Sequence, residues 1–135
     1  MKVVFATDER TAVTDVIVET LRQRGCEVST VAEGEQWADV GRAVGEAVAE
    51  GRADRGVVCC WTGTGVSMAA NKVAGARAAL CTDAETARGA RRWNDANVLA
   101  VGLRLTAPEL AKEMLDAFLS TEADDAEREQ VSRLT

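Results

Sequence analysis

A thiol set at the end of an apolar run and followed at once by a Thr/Gly loop is the strongest chemical signal in this chain. Val57, Val58, Cys59 and Cys60 read as a buried strand. Thr62, Gly63, Thr64 and Gly65 follow, and then a helical stretch to about Asn71. That order places Cys60 at the carboxyl end of a strand, facing a helix N-terminus. Backbone N–H groups there hold an anion and favour a thiolate. A thiolate so placed takes a proton from a carbon next to a carbonyl, while the nest of N–H groups, with Thr62, holds the enediolate oxygen. The competing reading of the loop is a plain strand-to-helix turn. Neither GxxxxGK[ST] nor GxGxxG is present. A Cys-x5-Arg phosphatase loop is excluded, because Val66 stands where its arginine belongs.

Other polar residues fall at strand ends. Asp8 closes the first strand and opens on the same edge as Cys60, either as a ligand contact or as the N-cap of the next helix. Asn94, Asp95 and Asn97 precede the fifth strand, as turn residues or as partners for substrate hydroxyls. Arg104 follows that strand and is placed to meet a phosphate. Cys26, Cys59 and Cys81 read as structural. Cys59 and Cys60 point to opposite faces of one strand, so they do not bridge each other. The chain has no histidine and no CxxC pair, so no metal site is expected.

Those positions need a scaffold, and the apolar pattern supplies one. Lys2–Ala6, Cys26–Val31, Val57–Cys60, Arg77–Cys81 and Asn97–Val101 read as strands. Val13, Ile17 and Leu21 mark a first helix closed by Gly25. Val40, Val44, Ala47 and Val48 mark a second, closed by Gly51. Thr82 and Glu85 suggest a capping box for a helix ending near Trp93. Thr106, Pro108 and Glu109 open another that runs to about Leu119. Strict alternation predicts an α/β fold: a Rossmann-like, doubly wound sheet of five parallel strands with flanking helices over residues 1–120. Residues 121–135 form a polar tail, solvated or docking on a partner subunit. A net charge of −6 argues against nucleic acid. No apolar run reaches the ~20 residues of a membrane span. The chain opens directly on a strand, without a leader pattern, and its cysteines suit a reducing compartment, so the cytoplasm is expected.

Three runs then carry a resemblance: CWTGTGVSMAANK from Cys60, VAGARAALC from Val73, and NDANVLAVG from Asn94. In this order and spacing they resemble the ribose-5-phosphate isomerase B / galactose-6-phosphate isomerase family, closely from Gly56 to Arg104 and colinearly from Met1 to Gly51. The resemblance implies cofactor-free aldose–ketose isomerisation of a sugar phosphate by a homodimer, or a tetramer built from it, with the site at the subunit interface. Cys60 matches the catalytic base of one branch, and Val66 stands where the other branch carries a glutamate. Thr62, Gly63 and Gly65, with Thr64 between them, match the anion hole. Asp8 and Asn94 match substrate contacts, and Arg104 a phosphate ligand. Arg128 falls near the family's C-terminal phosphate arginines. The expected shared elements are Glu9 and Arg10 of one subunit and Cys60 of the other.

The departures are informative. Asp8-Glu9 replaces the family's Asp-His, leaving Arg10 to offset the acidic Glu9. Trp37-Ala38 replaces Tyr-Pro. Trp61 replaces a glycine, and Trp93 replaces the ring-opening histidine. Three tryptophans at substrate-facing positions imply an altered pocket. An open-chain tetrose or tetrulose 4-phosphate has no furanose ring to open and fits best. The alternative is a non-catalytic or regulatory sugar-phosphate-binding paralogue, or one subunit of a hetero-oligomeric isomerase.

Overall fold

The computed structural model describes residues 1–134. Strands and helices alternate: β1 (Lys2–Thr7), α1 (Ala12–Gln23), β2 (Glu27–Glu33), α2 (Trp37–Ala49), β3 (Arg55–Cys60), α3 (Thr64–Asn71), β4 (Ala78–Leu80), α4 (Ala84–Asn94), β5 (Val98–Gly102) and α5 (Pro108–Ser120). A 3-10 turn at Asp125–Glu127 leads into α6 (Arg128–Ser132). Thr135, the last residue of the expected tail, lies outside the described residues. The five strands form one parallel sheet in the order β2-β1-β3-β5-β4. This is the doubly wound Rossmann-like arrangement that the alternation predicts.

Side-chain alternation along the central strands builds two cores. Val3, Phe5, Val57, Cys59, Leu99 and Val101 face α1, α4 and α5, where Ile17, Leu21, Met114, Leu115 and Phe118 cover them. Val4, Ala6, Val58, Cys60, Val98 and Ala100 face α2 and α3, under Val40, Val44, Val66 and Ala70. Cys59 and Cys60 therefore belong to different cores, and all four cysteines are free thiols. Only Cys60 lies at the very end of its strand.

Three caps differ from the sequence expectation. Thr11, not Asp8, caps α1: its hydroxyl accepts from the Thr14 N–H at 3.3 Å, and the Thr14 hydroxyl accepts from the Thr11 N–H at 2.8 Å. Asp83 caps α4 by accepting from the Thr86 N–H at 2.7 Å, so the Thr82–Glu85 box does not form. α5 begins at Pro108 without a side-chain cap, and Thr106 is buried with its N–H bonded to the Gly102 carbonyl. The tail starts against its own chain. Arg91 Nε donates to the Thr121 carbonyl at 3.1 Å, and the Asp124 N–H donates to the Arg92 carbonyl at 2.8 Å. Among the described residues no helix is long and apolar enough to cross a membrane.

α3, which leads out of the Thr/Gly loop, is seated by α2. A Cβ on Gly41 would stand 2.5 Å from the Val66 carbonyl oxygen and 2.6 Å from Ala69 Cβ. Gly41→Ala is therefore expected to cost about 1–3 kcal/mol by overpacking. Urea unfolding checks this: the midpoint falls while the slope is unchanged.

Candidate functional site

The chain leaves β1 for β2 on one side and crosses to β3 on the other, so the switch point of the sheet lies between β1 and β3. Ligand crevices in open α/β sheets form there, beyond the carboxyl ends of the strands. Thr7 pairs with Cys59, which sets Asp8 beside Cys60 one residue further on. The Asp8 N–H donates to the Cys59 carbonyl at 3.3 Å and holds the two strand ends together.

Beyond Cys60 the backbone turns at Gly63, whose φ of +79° is left-handed and suits glycine. Gly63 is also the N-cap of α3 and carries no side chain to satisfy the first-turn N–H groups of Thr64, Gly65 and Val66. Those groups have no intrahelical partners and remain available to an anion. The Thr62 and Thr64 hydroxyls lie 2.7 Å apart and share a hydrogen bond across the mouth of the loop. The chain beyond β5 brings in Arg104. The Leu103 N–H donates to the Cys60 carbonyl at 3.0 Å and the Arg104 N–H to the Trp61 carbonyl at 2.9 Å, which fixes the Arg104 backbone at this rim. Trp37, the first residue of α2, lays its ring over Gly65. A Cβ on Gly65 would stand 2.7 Å from Trp37 Cε3. Trp37 and Trp61 remain about half exposed, forming an apolar wall and lip beside a polar nest.

Charge at this edge is unusual. Burial, and secondarily Glu9, pushes the Asp8 carboxyl above its ordinary range. Its Oδ1 is wholly buried without a hydrogen-bond partner. Glu9 is exposed, and the Thr7 hydroxyl donates to its carbonyl at 2.6 Å and accepts from its N–H at 3.2 Å. Arg10 turns away to Asp15 at 2.9 Å, so it does not offset Glu9 at the crevice. Burial pushes the Cys59 thiol far up and keeps it protonated. Burial and Asp83 push Cys81 up to about 11. No metal-holding cluster of His, Cys, Asp or Glu exists among the described residues.

The remaining expected residues lie elsewhere. Trp93 and Asn94 end α4 at the amino edge of the sheet, immediately before β5. Arg128 lines a small cavity at the same edge with Arg92, Asp95 and Asp124. The register from Gly56–Val98 to Cys60–Gly102 spans four residues, about 13 Å of strand. Asp8, Glu9, Trp37, Cys60, Trp61, Thr62, Gly63, Thr64, Gly65 and Arg104 thus collect at one edge, and Trp93, Asn94 and Arg128 at the other. Within the single chain, Glu9 and Arg10 follow β1 at the edge that also carries Cys60, and both are exposed. Asp95 and Asn97 hold structure. Asp95 adopts φ +47° and binds Arg77 and Arg91, while Asn97 bonds the Arg77 N–H and the Gly75 carbonyl. Sequence reasoning missed the buried Asp8 oxygen and the Trp37–Gly65 contact, because both arise from residues brought together only by folding.

The protein-family model described as Ribose/Galactose Isomerase matches residues 3–134. The chain belongs to this family. Over 113 residues it is 39% identical to a D-erythrulose-4-phosphate isomerase of Pectobacterium atrosepticum, covering 80% of this chain and 74% of that one. Ribose-5-phosphate isomerase B of Escherichia coli is 40% identical over 118 residues, covering 84% and 79%. The ribose-5-phosphate isomerase B structure from Clostridium thermocellum superposes with a TM-score of 0.93 at 38% identity, covering 99% of this chain and 95% of that one. The fold is thus that of a family whose members include proteins named as sugar-phosphate isomerases.

The Asp8 carboxyl yields a stability prediction. Its folded pKa is raised, so the native state holds the proton more tightly than the unfolded chain. Below both pKa values it costs nothing; the cost grows as pH rises and is complete above the folded value. Asp8→Asn is expected to raise the urea midpoint at pH 7, and the gain should vanish below about pH 3.

Proposed function

We propose that this protein interconverts an open-chain tetrulose 4-phosphate and the matching tetrose 4-phosphate through an enediolate, with Cys60 as the carbon base. The observation that carries this reading is a thiol at the end of β3 beside the uncapped first turn of α3. Cys60 takes a proton from C1 of the ketose, the developing negative charge falls on O2, and the α3 N–H groups with Thr62 receive it. The thiol then returns its proton to C2. Asp8 meets a substrate hydroxyl, Trp37 and Trp61 limit the space around the carbon chain, and Arg104 draws the phosphate.

The tetrose reading rests on chemistry. A four-carbon aldose phosphorylated at O4 cannot close a furanose ring. Ring opening needs a proton delivered to the ring oxygen, and the indole N–H of Trp93 does not titrate. A relative that bears the name D-erythrulose-4-phosphate isomerase supports the same substrate class.

The working unit in this reading is a homodimer. Trp93, Asn94 and Arg128 lie too far from Cys60 of their own chain to share one small ligand with it, and a second copy brings its opposite edge to the crevice. Trp61, Met68, Trp93 and Leu105 are each more than half exposed and give such an interface its apolar surface.

Three outcomes test this. Cys60→Ala should lower kcat on erythrulose 4-phosphate by about 10²–10⁴ with the fold intact, whereas Cys59→Ala should lower stability. Equal turnover by wild type and Cys60→Ala would remove the mechanism. Wild type should prefer erythrulose 4-phosphate over ribose 5-phosphate by at least about tenfold in kcat/KM, roughly 1.4 kcal/mol, and Trp93→His should narrow that ratio. Mixing inactive Cys60→Ala and Asn94→Ala chains should restore about a quarter of wild-type activity if sites are shared between two copies. No recovery, or a concentration-independent monomer in sedimentation, counts against the dimer.

A further inference from the structure

Moving one proton from C1 to C2 does not complete an aldose–ketose isomerisation. The ketose carries its hydroxyl on C1 and its carbonyl on C2, and the aldose the reverse. A second proton must therefore leave O1 and arrive on O2. Cys60 serves the carbons, and the nest at Thr62–Gly65 donates hydrogen bonds without exchanging protons. The Thr62 hydroxyl does not titrate in the working range. With no histidine in the chain, the oxygen proton needs another carrier.

One group at the carboxyl edge has the right properties. Asp8 leaves β1 beside Cys60, across the strand spacing of about 4.8 Å. Ala6 lies in the core that contains Cys60, and Asp8 follows one residue beyond the end of β1, at the mouth of the crevice. Its N–H is tied to the Cys59 carbonyl, so its backbone is fixed relative to the thiol. It is not a helix cap, a role that Thr11 fills. Its Oδ1 is buried with no hydrogen-bond partner. A buried carboxylate oxygen without a partner is costly, and a catalytic role is one of the few things that account for such an atom.

Resting on the isomerase reading above, we propose that Asp8 carries the hydroxyl proton between O1 and O2 of the enediolate. The Asp8 carboxylate accepts the proton of O1–H as the C1=O bond forms. The resulting carboxylic acid gives that proton to O2 as the C2=O bond is lost. In the same passage Cys60 takes the C1 proton and returns one to C2. Each group ends as it began, and no electrons leave the substrate. Burial favours the transient acid form, which makes the carboxyl a better carrier than an exposed one.

Two readouts separate this role from simple substrate binding. In ²H₂O, erythrulose 4-phosphate exchanges its C1 hydrogen whenever Cys60 and the anion nest work, whether or not the oxygen proton moves. Conversion to the aldose needs both transfers. Asp8→Asn is expected to keep C1 exchange within about threefold of wild type while conversion falls about a hundredfold or more. An unchanged circular dichroism spectrum and a urea midpoint no lower than wild type would show that the variant is folded. Loss of exchange and conversion in parallel assigns Asp8 to binding and overturns the proposal, as does conversion that stays near wild type. Wild type that neither exchanges nor converts overturns the isomerase reading itself, and the relay with it.

Discussion

The first turn of α3 holds backbone N–H groups that nothing among the described residues satisfies, and the carboxyl edge is organised around them. Gly63 ends the preceding turn in a left-handed conformation and offers no side-chain cap. Thr62 and Thr64 bond to one another and leave those N–H groups open. Leu103 and Arg104 clamp the carbonyls of Cys60 and Trp61, so the loop cannot relax into a tighter turn that would satisfy itself. Gly41 lets α2 press α3 into place from behind. A rigid positive end is thereby held open beside a thiol. Preorganisation of this kind lets an anion be stabilised without reorganising the protein as charge develops.

A second constraint comes from the geometry of a parallel sheet. Every βα unit returns to the opposite edge before the next strand begins, so residues that end helices cannot meet residues that end strands within one chain. Asn94 and Trp93 end a helix, whereas Cys60 and Asp8 end strands. Arg91 and Arg55 strengthen the amino edge. Their guanidiniums lie 5.9 and 5.6 Å from the centre of the Phe118 ring, and Arg91 also reaches the Thr121 and Ala96 carbonyls. Burial and the neighbouring Arg91 lower the Arg55 pKa. The start of the tail is therefore fastened to α4 through Thr121 and Asp124.

Much of this architecture was legible in the sequence because it depends on short-range pattern. The apolar runs ending at Thr7, Cys60 and Gly102, and the helical stripes between them, gave the five strands and the winding. The Thr/Gly loop after Cys60 marked the turn into α3, whose first-turn N–H groups carry no side-chain cap. The caps were less legible. Thr82 with Glu85 and Thr106 with Glu109 fit a local capping pattern, yet Asp83 captured α4 and Thr106 went into the interior, since the actual first turn is set by where the helix packs. Asp8 showed its position but not its buried oxygen, because desolvation is imposed by neighbouring elements. The division of the expected site between two edges follows from topology, which no single motif records.

The Trp37–Gly65 contact also limits how such a protein changes over generations. The indole occupies the space that a β-carbon at position 65 would need. Alanine at 65 therefore requires the half-exposed indole to shift or to be replaced by a smaller residue. A smaller residue at 37 is tolerable at once, because it leaves only a gap at a half-exposed position. Lineages thus reshape this crevice more readily in one order of substitutions than in the other. The tryptophan acts as a brake on the ancestry of the site: while it stands, any side chain at 65 must displace it.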